Sequence, residues 1–409
     1  MNADADRRNI LALAALAFIG GLGGGVVFPI LPLLGLQLGI PAALIGLILS
    51  LNRITRLAVN PLTGVVVDRF GARWPLILGM LIEAVSTLCF YVGAQGVQAA
   101  AWFLAGRAMW GVGSSLLIVG VLSAALVFAP DAGAGRATAK VRMSLSLGMP
   151  SGLVLGGLVA AQVSPGAAFL AAAAITFVGA LLAWRFAPRG ARSRRADDGS
   201  VASSPSLREL LRPGPLWSTW LFNFFIFFGV QGVVLSVLTL LVHDRHLSFA
   251  GWGVEGTAGM LMAMMIGSSA LASWLIGRHI DRGRRKSASL LAGVVLLLLG
   301  FILLAGAWRV SVAVGALALI GIGMGGINVP LLLIIGELAP AGSHGRAIGI
   351  YQVLGDLGGS LGPIAGLEAL LRFGGMEMLL GLTVLLALML PLAGVVWRQE
   401  RVAACTGAG

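Results

Sequence analysis

Apolar runs long enough to cross a bilayer follow one another through this chain, separated by short hydrophilic segments, and they leave few folds to choose from. A helix rises ~1.5 Å per residue, so roughly 20 apolar residues cross a ~30 Å hydrocarbon core. Twelve spans fit, at 10–33, 42–67, 74–94, 99–127, 138–162, 166–186, 216–242, 251–278, 287–307, 310–336, 346–372 and 376–397. The pattern predicts an all-α polytopic membrane protein with twelve transmembrane helices in two six-helix, pseudo-symmetric bundles. Charged residues make up 11% of the chain, about half the share of a soluble protein. The chain has sixty glycines and sixteen prolines, many of them spread through the apolar runs, as close helix packing in a membrane requires. Arg7 and Arg8 ahead of Ile10 resemble the start of a signal peptide. No small-residue cleavage site stands out and further spans follow at once, so 10–33 reads as a retained first helix.

The formal net charge of +12 could suggest a nucleic-acid partner, but the basic residues sit between spans and report topology instead. With the N-terminus in the cytoplasm, Arg245, Arg309 and Arg372 fall on the far side and Arg53, Arg56 and Arg107 fall within spans. The other 22 of the 28 basic residues then lie on the cytoplasmic side, which predicts both termini inside a bacterial inner membrane. Cys89 and Cys405 are too far apart in this topology to pair. The hydrophilic segment 187–215 separates an N-terminal bundle, 1–186, from a C-terminal bundle with a short cytoplasmic tail, 216–409. It reads as a flexible linker.

The two halves repeat each other. Pro130 to Ala137 recurs as Pro340 to Ala347, 210 positions on. At the same offset Gly148, Gly152 and Gly156 match Gly358, Gly362 and Gly366, and Gly111 and Gly113 match Gly321 and Gly323. Gly64, Asp68 and Arg69 match Gly277, Asp281 and Arg282 at an offset of 213. A chain of two parallel repeats is expected to bind its ligand between them near mid-membrane.

Ionisable residues inside the spans locate the chemistry, because a charge at that depth faces a wet cavity or a partner. Arg53, Arg56 and Asn60 share one helix face at spacings of three and four. They either line a hydrated interior or pair with acids on neighbouring helices. Asp356 shares a face with Gln352 and Ser360 and is the first candidate for a proton-exchanging acid; Glu83 is the second, or else a structural partner of Arg53, Arg56 or Arg107. Glu337 is expected to pair with a cytoplasmic arginine, and Glu255, Glu368 and Glu377 to be solvated or at a gate. Asn223, Phe227 and Gln231 form a stripe at four-residue spacing, and with Asn328 they could supply neutral hydrogen bonds to a substrate. Three arginines against one or two acids favour an anionic or zwitterionic substrate, because the guanidinium fork suits carboxylate and phosphate groups.

Gly64-x-x-x-Asp68-Arg69-x-Gly71-x-Arg73 resembles the signature of the major facilitator superfamily between helices 2 and 3, and Gly277 with Asp281 and Arg282 is its weaker echo. Arg107 to Gly113 is similar to a helix 4 motif whose arginine is implicated in proton coupling. The run from Gly148 to Gly157 resembles the helix 5 antiporter motif of the drug:proton antiporter-like branch, although the usual Gly-Pro pair is missing and Pro150 sits earlier. Val27 to Pro32 resembles the proline-punctuated end of helix 1 in exporters. The resemblance implies that Gly64, Asp68, Arg69, Gly71 and Arg73 latch the cytoplasmic side, and that Gly148, Gly152 and Gly156 form a smooth face for rocking or plain tight packing. It implies a monomeric secondary transporter that exports a small organic anion or zwitterion in exchange for protons, by rocker-switch alternating access. An anion uptake symporter or a flippase for a lipid-like substrate fits the fold and the arginines as well. His243, His246, His279 and His344 fall at span ends or in loops, and neither a Cys/His cluster nor a Gly-x-x-x-x-Gly-Lys-[Ser/Thr] loop occurs, so no enzyme, metal or cofactor is expected.

Overall fold

The computed structural model describes residues 3–128, 134–187, 216–282, 286–338 and 344–405. The helices among them are α1 (Ala3–Gln37), α2 (Ala42–Phe70), α3 (Arg73–Gly93), α4 (Ala99–Phe128), α5 (Ala134–Gln162) and α6 (Pro165–Phe186). Further on in the chain come α7 (Leu216–Ile226, π-helical over Phe227–Val234, then Leu235–Asp244), α8 (Gly253–Asp281), α9 (Lys286–Ala305) and α10 (Val310–Leu338). They are followed by α11 (His344–Phe373) and α12 (Gly375–Leu386, continuing as Met389–Cys405). The sequence places the ends: the Ser164 hydroxyl accepts from the Ala167 amide at 3.1 Å with Pro165 in the first turn, a cap that starts α6. Gly71 ends α2 at φ +73°, in the left-handed region that glycine enters without steric penalty.

Among the described residues, eleven helices are long and apolar enough to cross a membrane. The exception is α11, as long as its neighbours but interrupted by Arg346, Asp356, Glu368 and Arg372. Surface polarity is inverted relative to a water-soluble fold. Val85, Leu88, Phe177, Val178, Leu299 and Val384 are exposed, whereas Ser50, Thr63, Ser86, Ser115 and Thr176 are buried. The buried hydroxyls bond to helix backbone or to each other, as Ser86 does to the Gly106 carbonyl at 2.6 Å. This is a multi-pass membrane protein.

The chain forms two compact units. The first comprises Met1–Gly199 with Leu238–Ala263, and the second Ser200–Val237 with Met264–Gly409, so α7 and α8 each contribute to both. The 188–215 part of the expected linker and the matching segments around Pro130 and Pro340 lie outside the described residues.

Within the units the sequence repeat is a packing repeat. A Cβ on Gly148, Gly152 or Gly156 of α5 would collide with Phe18, Leu22 or Val26 of α1, and one on Gly358, Gly362 or Gly366 of α11 would collide with Phe224, Phe228 or Val233 of α7. Gly111 of α4 meets the Asn52 carbonyl and Thr55 of α2, while Gly321 of α10 meets the Met265 carbonyl and Ser268 of α8. Gly113 lies on Gly79 and Glu83 of α3, and Gly323 on Gly293 and Leu297 of α9. The register slips once. Phe18 and Leu22 stand 206 positions before Phe224 and Phe228, but Val26 stands 207 before Val233, so α7 holds one residue more than α1 within its π-helical stretch.

Candidate functional site

The first unit contains a polar assembly around Arg107. This residue of α4 is fully buried and donates to α2, through Nε to the Ile48 carbonyl (3.3 Å) and through Nη2 to the Leu49 carbonyl (2.9 Å) and Asn52 Oδ1 (2.9 Å). Its guanidinium stands 5.5 Å from the centre of the Phe28 ring of α1. Arg53 is buried, Arg56 is half-buried, and both are near enough to act on the Arg107 charge. Asn60, one turn on, accepts from Ser115 of α4 at 2.6 Å, and Ser115 is 2.8 Å from the Thr63 hydroxyl.

Glu83 of α3 is also fully buried, and neither carboxylate oxygen has a hydrogen-bond partner. It faces Gly20 of α1 and Gly113 of α4, whose missing side chains leave room for it. A hydrogen bond from Arg53, Arg56 or Arg107 to Glu83 is therefore absent.

The repeat shows that the architecture does not require these groups. Where the first repeat holds Glu83 against Gly113, the second holds Leu297 against Gly323; where it holds Asn52 against Gly111, the second holds Met265 against Gly321. Arg107 corresponds to Leu317, 210 positions on. All three counterparts are buried apolar side chains.

In the second unit Asn223 of α7 is fully buried and donates to the Tyr351 carbonyl of α11 at 2.6 Å, while its Oδ1 has no partner. Asn328 of α10 is half-buried and its Oδ1 also lacks a partner. Asp356 is 8% exposed, one helical turn from exposed Gln352 and from Ser360, whose hydroxyl donates to the Asp356 carbonyl at 2.7 Å. Gln231 is half-buried. It lies in the π-helical stretch, where i→i+5 hydrogen bonds widen the turn, so four-residue spacing no longer keeps Phe227 and Gln231 on one face.

A Cβ at Gly64 would meet nothing within 4 Å, and the same holds at Gly277, so neither marks a close backbone approach. Arg73 donates to the Ala187 carbonyl at 3.3 Å and to the Trp184 carbonyl, capping the C-terminus of α6. Exposed Arg69 lies 5.5 Å from the Phe70 ring centre, and Arg282 is exposed. The side chains of Asp68 and Asp281 lie outside the described set. Glu337 pairs with Lys286 at the start of α9, where an arginine partner was expected. Sequence reasoning missed Asn52, Ser115 and Thr63; the polar run Asn52, Arg53, Thr55, Arg56 was the available signal.

Repeated membrane-length helices with buried ionisable groups define a polytopic membrane protein. The sequence profile of the Major Facilitator Superfamily matches residues 13–363, and the chain belongs to that superfamily. It is 26% identical over 404 residues to the multidrug efflux protein YfmO of Bacillus subtilis (strain 168), covering 94% of each chain. It is 25% identical over 368 residues to a bacillibactin exporter of the same organism, covering 87% of this chain and 88% of the relative. A solved structure of a mutant of the nucleoside transporter NupG superposes with a TM-score of 0.79 at 16% identity, covering 94% of this chain and 99% of that one. The last likeness is one of fold.

Proposed function

We propose that this transporter exports a small organic anion or zwitterion across a bacterial inner membrane in exchange for protons, with both termini in the cytoplasm. The observation that carries the reading is the asymmetry between the repeats: Glu83, Arg107 and Asn52 occupy places that Leu297, Leu317 and Met265 fill equally well for packing. Buried ionisable groups that the fold can do without are retained for function. An ionised carboxylate with no donor is far costlier to bury than a neutral acid, so Glu83 holds a proton in this arrangement. Rocking of the two units that wets Glu83 or brings a cation to it releases that proton, and Arg107, tied to the α2 backbone, holds the helix that carries Arg53 and Arg56. Asp356 is a second proton site. Arg53 and Arg56 attract the anionic group, and Asn223, Gln231, Asn328 and Gln352 supply neutral hydrogen bonds to the rest of the substrate. The full-length similarity to an efflux protein and an exporter favours the outward direction.

The test is proton movement in proteoliposomes under an imposed pH gradient, with wild type, Glu83→Gln and Asp356→Asn challenged by a panel of anionic, zwitterionic and cationic solutes. Solute-dependent proton flux that disappears in Glu83→Gln is the expected result, and its direction separates export from uptake. Solute flux with no proton movement in wild type refutes the coupling, and cation-only transport refutes the substrate class.

A further inference from the structure

The second unit carries a cleft that the transport scheme does not use. It measures about 330 Å³ and is lined by Leu275, Ile276 and His279 of α8, Ser289 and Ala292 of α9, and Gly326 of α10. The repeat explains its origin. Gly326 stands where the first repeat has Leu116, whose Cβ lies against Gly79 of α3. The hydrogen bond between Thr63 and Ser115 that ties α2 to α4 has no counterpart, because Ile276 and Gly325 occupy those places. At this level the second repeat thus lacks both the Leu116 side chain and the hydroxyl bond that the first repeat has.

The walls and the mouth of the cleft differ in chemistry. Leu275, Ala292 and the neighbouring Trp274 and Leu291 are exposed apolar surface of a membrane protein. At the end of α8, Arg278, His279 and Arg282 are exposed, and the Arg278 guanidinium lies 4.1 Å from the centre of the Trp274 ring. Lys286 opens α9 beside them in sequence, and its described ion-pair partner, Glu337, is taken up by it. His279 is the basic residue that lines the groove, and exposed Arg282 follows it by three positions at the end of α8; an apolar groove with these groups at one end matches a lipid with a negative headgroup.

We propose that this cleft between α8, α9 and α10 binds one anionic phospholipid of the surrounding bilayer, with an acyl chain along Leu275, Ile276 and Ala292 and the phosphate at His279 and Arg282. The Ser289 hydroxyl supplies a further donor to the headgroup. A soluble anion has no use for the apolar walls, and a zwitterionic lipid has less use for the mouth.

The experiment is native mass spectrometry of the full chain titrated with phosphatidylglycerol or phosphatidylcholine. Wild type retains one phosphatidylglycerol with at least about tenfold preference, equivalent to ~1.4 kcal/mol. His279→Ala with Arg282→Ala lowers phosphatidylglycerol retention to the phosphatidylcholine level. Ala292→Phe, an exposed position where a ring fills the groove from outside, removes the retained lipid while thermal melting stays unchanged. Equal retention of the two lipids by wild type overturns the proposal. So does full retention in Ala292→Phe, which would place the lipid on the basic loop alone, or displacement of the lipid by transported solutes, which would make the cleft a substrate site.

Discussion

Arg107 binds three acceptors on one neighbouring helix, and that arrangement separates its role from a generic positive charge. Arg107→Lys keeps the charge but cannot reach all three, so solute flux in vesicles should fall by at least tenfold while the protein still purifies folded. Arg107→Leu copies the residue found at the equivalent place in the second repeat. It should shift unfolding by no more than about 1 kcal/mol yet abolish transport, as thermal melting and flux assays on one preparation would show. Glu83→Leu goes further, because it removes a buried group with no partner. A gain of about 1–3 kcal/mol is expected, read as a raised melting temperature alongside lost proton coupling. The sequence exposed these residues as oddities of depth, since a charge in an apolar run is visible without coordinates. It did not disclose that Glu83 stands without an ion-pair partner, because helix-to-helix distances are set by the glycines around it.

Glycines divide sharply by what stands opposite them. Gly152 of α5 lies on the Leu22 carbonyl of α1, so Gly152→Val forces the two helices apart and should destabilise by about 3 kcal/mol or more. Gly64→Ala meets nothing and should be neutral or stabilising by up to ~1 kcal/mol, whereas Gly71→Ala must hold a left-handed backbone and should cost roughly 1–2 kcal/mol. Denaturation of the three variants ranks these effects, and a Gly64→Ala variant that folds but fails to transport would assign that position to another conformational state. Element identity was legible from apolar length, including α11, which was read as the span 346–372 although its polar residues set it apart from the eleven helices apolar enough by composition. The π-helical stretch of α7 was not legible, since one extra residue among Phe227–Val234 changes neither composition nor hydropathy. The stripe drawn through Asn223, Phe227 and Gln231 assumed a period that this stretch abandons.

At the scale of the molecule, the count of basic residues predicts which side each end occupies. An impermeant thiol reagent should label Cys405 in inverted vesicles and leave intact cells unlabelled, with buried Cys89 silent in both. Labelling of intact cells would reverse the topology and with it the direction assigned to transport. The duplicated packing also records a history. Both α1 and α7 clasp a glycine-lined partner, and they keep step until α7 gains its extra residue. The simplest ancestry is duplication first and insertion afterwards, with the insertion stored as a π-helical stretch rather than expelled as a loop. Removing one residue between Phe227 and Val234 would restore the ancestral spacing and let the stretch close as α-helix, with the residues beyond it kept on their present faces. Such a deletion variant should still enter the membrane and fold, with Ser236 and Thr239 on the faces they hold now, making an old insertion event accessible to direct reversal.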